Sequence, residues 1–385
     1  MIYKREICTR LEKEIETKEI LIITGMRRVG KTTVLQYLFD KIESKNKVML
    51  DLENPMHRKL FEEENYDLVW NNLAQYGVEN KTKSYVLIDE VQNLPEISRV
   101  IKYLYDHWNV KFVLTGSSSY YLRNLFPESL SGRKVIFEMF PLDFEEFLKF
   151  KDVNRKTGDK NKIRYQKLIG FYDEYMEYGG FPGVVLEQNR ERKKLLLQDI
   201  FTSYFEKDAK NLADFKDMSR LRDLIILLVS RIGSQLDIQK LALSLAVSRE
   251  TVYNYLSFLE QTYFISLLPR FSGSPDRQAA GSKKIFFCDS GVANVIGKLS
   301  EGQLFEQSVY QNLRGKNELA FYNKTGGGEI DFIVNSKSAV EVKMTASRQD
   351  VSNLRKRCES LKIKNISIVT HEYSDLEETK PSVDL

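Results

Sequence analysis

The sequence predicts an α/β protein whose first domain is a parallel sheet covered by helices and is followed by further domains. Strand-like and helix-like apolar runs alternate through the first 140 residues. A glycine-rich phosphate-binding motif stands between the first of these strands and the helix that follows. The chain of 385 residues is long enough for two or three domains.

The phosphate-binding motif is Gly25-Met-Arg-Arg-Val-Gly-Lys-Thr32, which satisfies the pattern Gly-x4-Gly-Lys-Ser/Thr without substitution. The apolar, β-branched run Ile20–Thr24 before it predicts a buried parallel strand. Apolar residues after it follow helical spacing as far as Asp40. The motif therefore lies where backbone N–H groups and a helix N-terminus face an anion, and it predicts nucleotide binding.

Each residue of the motif has a predicted role. Lys31 would contact the β- and γ-phosphates, and Thr32 would hold Mg²⁺. Arg27 and Arg28 either touch the phosphates or a partner, or are simply solvated. We expect ATP or ADP as the ligand, Mg²⁺ as the cofactor, and contacts from the other loop positions Gly25, Val29, Gly30 and Thr33.

Five strands are predicted in this domain: Ile20–Thr24, Lys47–Leu52, Tyr85–Asp89, Phe112–Thr115 and Val135–Met139. The third strand ends in two carboxylates, Asp89 and Glu90. In nucleotide hydrolases with this loop the first acid organises the Mg²⁺ shell. Glu90 is then well placed to polarise the attacking water, so the pair indicates hydrolysis as well as binding.

Two further positions have two interpretations each. Ser117, which precedes Ser118 and Ser119, either orients the water or senses the γ-phosphate, or the serines cap a helix. Arg133, beside a glycine before the fifth strand, is either an arginine finger for a neighbouring subunit's nucleotide or a surface arginine. The first role of Arg133 requires a homo-oligomer.

These motifs resemble those of a known family. The resemblance is carried, in this order, by Gly25-x-Arg-Arg-x-Gly-Lys-Thr, Leu-Ile-Asp-Glu, Leu-Thr-Gly-Ser-Ser, Ser-Gly-Arg and Phe140-Pro-Leu-Asp-Phe-Glu-Glu-Phe147. Together they look like the prokaryotic AAA+ P-loop ATPases fused to a C-terminal nuclease-like domain of uncharacterised role. The resemblance covers essentially the whole chain and implies an AAA+ domain over residues 1–140 with strand order 5-1-4-3-2.

Residues 141–217 are predicted to be helical apart from a break at Tyr178–Gly183. This pattern favours a helical lid that closes over the nucleotide, as the resemblance also implies.

Residues 218–275 have the spacing of a winged helix-turn-helix. Asp237 is predicted to cap the second helix and Ser248 the third, which buries apolar residues at i, i+4 and i+7. A strand pair is expected around Phe264–Phe271.

The exposed face of the third helix offers Arg249, Glu250, Tyr253, Asn254 and Ser257. Arginine and asparagine can contact base edges, which favours DNA. Glu250 repels phosphate, and winged helices also bind proteins. The net charge of +4 permits nucleic-acid binding without arguing for it, so DNA and a protein partner both remain open.

A stretch rich in Gly, Ser and Pro, residues 268–284, is the predicted linker to a last domain over residues 283–385. In that domain a loop containing Gly326 and Gly327 leads into a strand that carries Asp331. After a turn, the next strand carries Glu341 and Lys343, whose spacing puts them on one face.

Two acids and a lysine on adjacent strands can bind Mg²⁺ and activate water against a phosphodiester. The pattern resembles the nuclease superfamily marked Asp-(x)n-Asp/Glu-x-Lys, which implies a restriction-endonuclease-like α/β fold. On that match Asp331 and Glu341 would be metal ligands and Lys343 would assist the water. Glu306 would be a further ligand, and Glu329 is an alternative one.

The match has one departure, because Ile330 stands where the superfamily motif often has proline. The alternative interpretation is a salt-bridged lysine with two surface acids, in a domain that only binds.

Composition restricts the class of protein. Hydrophobic residues make up 42% and charged residues 29%, as in ordinary globular proteins. The three cysteines, Cys8, Cys288 and Cys358, are scattered and favour a reducing compartment. No apolar run approaches the roughly 18 residues of a membrane span, and charges crowd the N-terminus. We expect a cytoplasmic protein without membrane contact.

Two functions follow from the sequence. In the first, Mg²⁺-dependent ATP hydrolysis drives or regulates a nucleic-acid-directed C-terminal module, with nuclease action as its sharpest form. In the second, the chain is an ATP-dependent switch that binds protein partners and carries an inactive nuclease-like domain. Convergence of Glu306, Asp331, Glu341 and Lys343 on one cleft would favour the first.

Overall fold

The computed structural model describes residues 3–117, 132–154, 160–209, 218–272, 281–324 and 328–385. The chain forms two compact units, Met1–Phe140 with Gln261–Tyr263, and Pro141–Glu260 with Phe264–Leu385. The division into four domains stays a prediction. Several positions named above lie outside the described residues: Ser118, Ser119, Ser131, residues 210–217 of the lid, residues 273–280 of the linker, Gly326 and Gly327.

The first unit alternates strands with helices, as predicted. Its elements are α1 (Glu6–Glu14), β1 (Ile20–Thr24), α2 (Lys31–Lys41), β2 (Lys47–Asp51), α3 (Pro55–Lys59), α4 (Tyr66–Ala74), β3 (Ser84–Asp89), a short 3₁₀ helix (Val91–Asn93), α5 (Ile97–His107), β4 (Val110–Gly116) and β5 (Lys134–Glu138).

The five strands form one parallel sheet in the order β2-β3-β4-β1-β5. This is the predicted order 5-1-4-3-2. The three central strands β1, β3 and β4 are buried at every position, as expected for strands covered on both faces. Because the strands are parallel, the phosphate loop after β1 and the acids after β3 lie at the same, carboxyl edge of the sheet.

The second unit begins with helices. They are α6 (Phe144–Phe150), α7 (Lys162–Tyr178), α8 (Pro182–Leu186) and α9 (Arg190–Ser203), continued by a π-helical turn (Tyr204–Ala209). The break between α7 and α8 is the predicted one. Gly180 donates its backbone N–H to the buried carboxylate of Asp289 at 2.7 Å.

Three helices and two strands follow: α10 (Met218–Val229), α11 (Ile238–Leu245), α12 (Arg249–Gln261), β6 (Ile265–Leu268) and β7 (Lys284–Phe287). The predicted caps are present, since Asp237 accepts from Lys240 N at 3.0 Å and Ser248 Oγ accepts from Thr251 N at 3.0 Å.

The prediction that both strands of a pair lie around Phe264–Phe271 is wrong about the second strand. That stretch holds one strand, β6, and its antiparallel partner β7 lies on the far side of the predicted linker. The reason is that the chain after β6 continues alongside a later strand, where Phe271 N donates to Phe321 O at 2.6 Å.

The C-terminal part contains α13 (Ser290–Gly297), α14 (Glu301–Leu313), β8 (Leu319–Asn323), β9 (Glu329–Val334), β10 (Ser338–Lys343), α15 (Arg348–Leu361), β11 (Asn365–Thr370), β12 (Thr379–Pro381) and a 3₁₀ turn (Ser382–Asp384). The sheet order is β12-β11-β10-β9-β8, with β8, β9 and β10 antiparallel and β10, β11 and β12 parallel. The two predicted strands, which carry Asp331 and Glu341, are β9 and β10.

No helix in the described part of the chain combines the length and apolar character that crossing a membrane requires.

We predict that Gly180→Ala lowers the melting temperature, because its new methyl group would lie 2.2 Å from the Leu142 carbonyl oxygen. Overpacking of this kind typically costs about 1–3 kcal/mol. The matched control is Gly170→Ala inside α7, where the methyl group meets nothing within 4 Å and should stabilise the helix slightly. Differential scanning calorimetry compares the two, and equal effects would contradict the packing described here.

Candidate functional site

The phosphate loop has the backbone shape that its glycines allow. The φ angles of Gly25, Arg28 and Gly30 are 153°, 66° and 100°. A Cβ atom on Gly25 would lie 2.1 Å from Met139 O, so this position accepts only glycine. The loop therefore bends tightly against the end of the neighbouring strand β5.

Lys31 is buried inside this loop. Its Nζ atom donates to Gly25 O at 2.9 Å and to Met26 O at 3.1 Å. Helix α2 begins at Lys31, and its N-cap Gly30 supplies no side-chain cap. An ammonium group and the positive end of a helix are thus directed to the same small concavity, which suits a phosphate.

Arg5 holds the outer side of the loop. Its guanidinium donates to Val29 O at 3.0 Å and to Phe140 O at 2.9 Å. The sequence gives no signal for this contact, because an arginine before an amphipathic helix is common. Arg5 is a supporting residue that sequence reasoning missed.

Asp89, the last residue of β3, joins strand β4 and helix α2 at the carboxyl edge of the sheet. Its Oδ2 accepts from the Thr32 hydroxyl at 2.7 Å, and its Oδ1 accepts from the Thr115 hydroxyl. Thr115 Oγ1 also accepts from the backbone N–H of Glu90 at 3.1 Å. The predicted pair Thr32 and Asp89 is therefore brought together, and Thr115 is a further member that sequence reasoning missed.

Glu90 is the next residue and has a left-handed backbone, with φ of 53°. Its carboxylate accepts a hydrogen bond from the Gln92 side-chain amide, which also donates to Ser117 Oγ at 3.1 Å. Ser117 is buried and is thus linked to Glu90 through Gln92. Gln92 was not among the predicted residues, although it lies only two positions after Glu90.

The remaining predicted residues of this site lie around it or away from it. Arg27 forms an ion pair with Glu53 at 3.7 Å, Arg28 is exposed on the loop, and Thr33 is exposed in the first turn of α2. Arg133 lies at the amino end of β5, the opposite edge of the sheet from the phosphate loop, and pairs with Asp106 at 3.2 Å. The structure does not bring Arg133 to this chain's own nucleotide site.

Comparison with known proteins agrees with this geometry. Residues 17–148 match the family model described as an AAA domain. The solved Walker-type ATPase PABY2304 of Pyrococcus abyssi aligns with 16% identity and a TM-score of 0.51, covering 77% of this chain and 96% of its own. That likeness concerns the fold. The first unit is an α/β domain of the P-loop ATPase type.

The rest of the chain matches two domains of unknown function, DUF8612 over residues 170–303 and DUF4143 over residues 301–381. An uncharacterized protein of Methanocaldococcus jannaschii is 27% identical over 395 residues, covering 97% of this chain and 87% of its own length. An uncharacterized protein of Haemophilus influenzae is 27% identical over 346 residues, with coverages of 86% and 84%. The similarity thus extends beyond the P-loop domain, while these relatives' names carry no activity.

The predicted acids of the C-terminal part surround a lysine. Lys284, at the start of β7, is 1% exposed, and its Nζ atom lies 3.3 Å from Glu306 Oε1 and 3.6 Å from Asp331 Oδ1. It also contacts the Glu329 carboxylate. The acids come from α14 and β9, so three elements meet at this ammonium group. We call Lys284, Glu306, Glu329 and Asp331 the Lys284 cluster.

Glu341 has different partners. Its carboxylate accepts from Arg357 at 2.9 and 3.2 Å, and Lys343 Nζ lies 3.5 Å away. Asp331 accepts from the Val342 backbone N–H at 2.8 Å, which places it beside Glu341 across the β9–β10 pair. Asp331, Glu341 and Lys343 are therefore neighbours, as predicted.

Burial and charge set the electrostatics of this region. Burial alone would lower the pKa of Lys284, but the surrounding carboxylates outweigh it and raise the pKa above its usual value. Burial, with Asp331 nearby, raises the pKa of Glu306 to about 7 although Lys284 opposes this. Burial and Asp331 also raise the pKa of Glu341, against the effect of Arg357.

The structure thus brings Glu306 and Asp331 together around Lys284, while Glu341 is bound by Arg357. Across the described ranges, no group of three or more His, Cys, Asp or Glu side chains is arranged to hold a metal ion. Sequence reasoning missed both Lys284 and Arg357. A lysine that opens an apolar strand is not a distinctive signal.

We predict that Thr115→Val destabilises the first unit, because buried Asp89 loses one hydrogen-bond donor and the Glu90 N–H loses its acceptor. An unsatisfied buried polar group costs about 1–3 kcal/mol. Thr115→Ser keeps the hydroxyl and should lose much less. Thermal unfolding without nucleotide measures both variants, and a Val variant as stable as the Ser variant would refute the bridging role.

Proposed function

We propose that this chain is a Mg²⁺-dependent ATPase that works as a switch for a C-terminal binding module. The observation that carries the proposal is the set of hydrogen bonds around Asp89. Its carboxylate accepts from the Thr32 and Thr115 hydroxyls, and Thr115 Oγ1 also accepts from the Glu90 backbone N–H. The loop that would receive the phosphates and the acids that would act on them are therefore assembled at one edge of the sheet.

The residues of the loop fit a nucleoside triphosphate with Mg²⁺. The contact point at Gly25 leaves no room for a side chain, and the helix start at Gly30 has no side-chain cap. Lys31, now bound to two loop carbonyls, would turn to the β- and γ-phosphates. Thr32 and Asp89 would hold Mg²⁺, which would neutralise phosphate charge.

Glu90 would accept the proton of the attacking water. Its carboxylate accepts a hydrogen bond from the Gln92 side-chain amide, which also donates to Ser117 Oγ. We infer that Gln92 positions Glu90 and that Ser117 acts through Gln92. Arg133, at the other edge of the sheet, could serve only the nucleotide of a neighbouring copy.

For the C-terminal module we propose binding without cleavage. Each predicted metal ligand has a cation of the protein beside it: Lys284 for Glu306 and Asp331, and Arg357 with Lys343 for Glu341. Metal-assisted hydrolysis needs these carboxylates for the metal. The ion pairs therefore favour the switch with an inactive nuclease-like domain over the nuclease.

We propose that the partner is a protein. On the helix pair α11–α12, Leu243 is 74% exposed and Tyr253 is 58% exposed. Exposed apolar and aromatic side chains suit a protein interface, whereas Glu250 on the same helix would repel a phosphate backbone.

We predict that Glu90→Gln still binds ATP but hydrolyses it at least about a hundredfold more slowly, since the general base is lost. Lys31→Ala should weaken ATP binding about tenfold to a hundredfold, because hydrogen bonds to charged groups contribute about 1.5–3 kcal/mol. A fluorescent ATP analogue reports binding, and phosphate release reports turnover.

The control for this pair is Glu96→Gln, which neutralises an exposed acid just before α5 whose carboxylate lies 3.0 Å from the exposed Arg99. It should behave as wild type. Normal turnover by Glu90→Gln would remove Glu90 from the proposal but leave nucleotide binding standing.

We predict that the wild-type chain does not nick supercoiled plasmid above the level of Lys343→Ala, with Mg²⁺ or Mn²⁺ and with or without ATP. The reason is that the carboxylates are already paired with protein cations. Gel electrophoresis measures the nicked fraction. Nicking by wild type that disappears in Lys343→Ala would overturn the binding-only module and restore the nuclease.

A further inference from the structure

The Lys284 cluster differs from a surface salt bridge, because three carboxylates surround one buried ammonium group. Three carboxylates from two different elements are directed to one point, and the Lys284 Nζ atom occupies that point, 3.3 Å from Glu306 Oε1 and 3.6 Å from Asp331 Oδ1. The third contact is to Glu329. An ammonium group has three N–H donors, one for each carboxylate.

Both the backbone and the side chain of Lys284 have defined contacts. Strand β7 pairs with β6 through Leu268↔Lys284, and an isolated bridge joins Gln235 to Lys284. The side chain is 1% exposed, and its ammonium group lies 5.6 Å from the centre of the Phe321 ring. The ammonium group is therefore buried beside an aromatic ring on a residue whose backbone is paired on both sides.

The backbone beside Lys284 also leaves room for the Glu306 carboxylate. Gly233 lies beside Glu306, and a Cβ atom there would be 2.3 Å from Glu306 Oε2. The Gly233 N–H donates to Ile285 O at 3.0 Å, so its backbone is fixed next to β7. A side chain at position 233 would therefore force the Glu306 carboxylate to shift.

We propose that the Lys284 ammonium is a resident cation that takes the place of a divalent metal ion in this carboxylate cluster. The wild-type cluster is then closed to Mg²⁺ and Mn²⁺, and removal of the lysine side chain opens a divalent-cation site formed by Glu306, Glu329 and Asp331. This inference concerns the module proposed above to bind without cleavage, but it rests on the cluster geometry alone.

The test uses Mn²⁺ and the full chain without nucleotide, so that neither ATP hydrolysis nor DNA cleavage enters the readout. Electron paramagnetic resonance counts bound Mn²⁺ in wild type, Lys284→Ala and Lys284→Ala/Glu306→Gln. We expect one additional equivalent in Lys284→Ala and its loss in the double variant. Any Mn²⁺ bound elsewhere is the same in all three and cancels.

Lys284→Met separates space from charge, because methionine fills the room of the lysine stem without its ammonium group. Mn²⁺ should raise the melting temperature of Lys284→Ala but not that of Lys284→Met or wild type, since a ligand stabilises the form that binds it. A folded Lys284→Ala that binds no additional Mn²⁺ would overturn the proposal.

A comparison without any change at Lys284 covers the case in which its variants fail to fold. Wild type and Glu306→Gln should bind the same amount of Mn²⁺, because Lys284 already occupies the cluster. If wild type binds Mn²⁺ that Glu306→Gln does not, the lysine and the metal coexist and the resident-cation proposal is wrong. Plasmid nicking remains a separate result that bears on the proposed function only.

Discussion

The first unit depends on the Asp89 carboxylate. One oxygen accepts from Thr32 at the start of α2 and the other from Thr115 at the end of β4, so a single side chain at the end of β3 joins a neighbouring strand to the helix that follows β1. The group is 4% exposed, and a buried carboxylate of this kind is tolerated because its oxygens receive hydrogen bonds. Strand order is what makes this possible, since β4 lies between β1 and β3 although it follows them in sequence. Thr115 also positions Glu90, because its Oγ1 accepts a hydrogen bond from the Glu90 backbone N–H.

In the second unit, charged side chains are stabilised by ion pairs rather than by hydroxyl groups. Two buried groups, Lys284 of β7 and Glu341 of β10, pair with half-buried acids of α14 and β9 and with the half-buried Arg357 of α15. Such pairs add little net stability, because desolvation offsets most of the attraction, but breaking one leaves an uncompensated charge. They fix which elements meet. The carboxylates that the sequence predicted as metal ligands are instead paired with cations of β7 and α15.

Much of the first unit could be predicted from the sequence. The strands β1–β5 are apolar runs with sharp ends, and the phosphate loop has a fixed spacing. The sequence therefore predicted where the strands lie and that the loop and strand ends carry Lys31, Thr32, Asp89 and Glu90. Contacts that depend on tertiary packing could not be predicted from the sequence. Arg5 binds Phe140 across 135 residues, and Thr115 reaches Asp89 only because of the strand order. Strand β12 was missed because it is short and contains a proline, which sequence rules place outside central strands. Lys284 was assigned to a linker because its partners lie in other elements.

The position of Lys284 has a consequence for how this chain was assembled in evolution. The lysine lies in the region that matches one domain family, residues 170–303, whereas Glu306, Glu329 and Asp331 lie in the region that matches another, residues 301–381. Neither region completes the cluster alone. A fragment starting at residue 301 would carry three acids without their cation, and a recombinant between relatives would keep the cluster only if position 284 came from a compatible parent. The Lys284 cluster therefore crosses the boundary between the two matched regions.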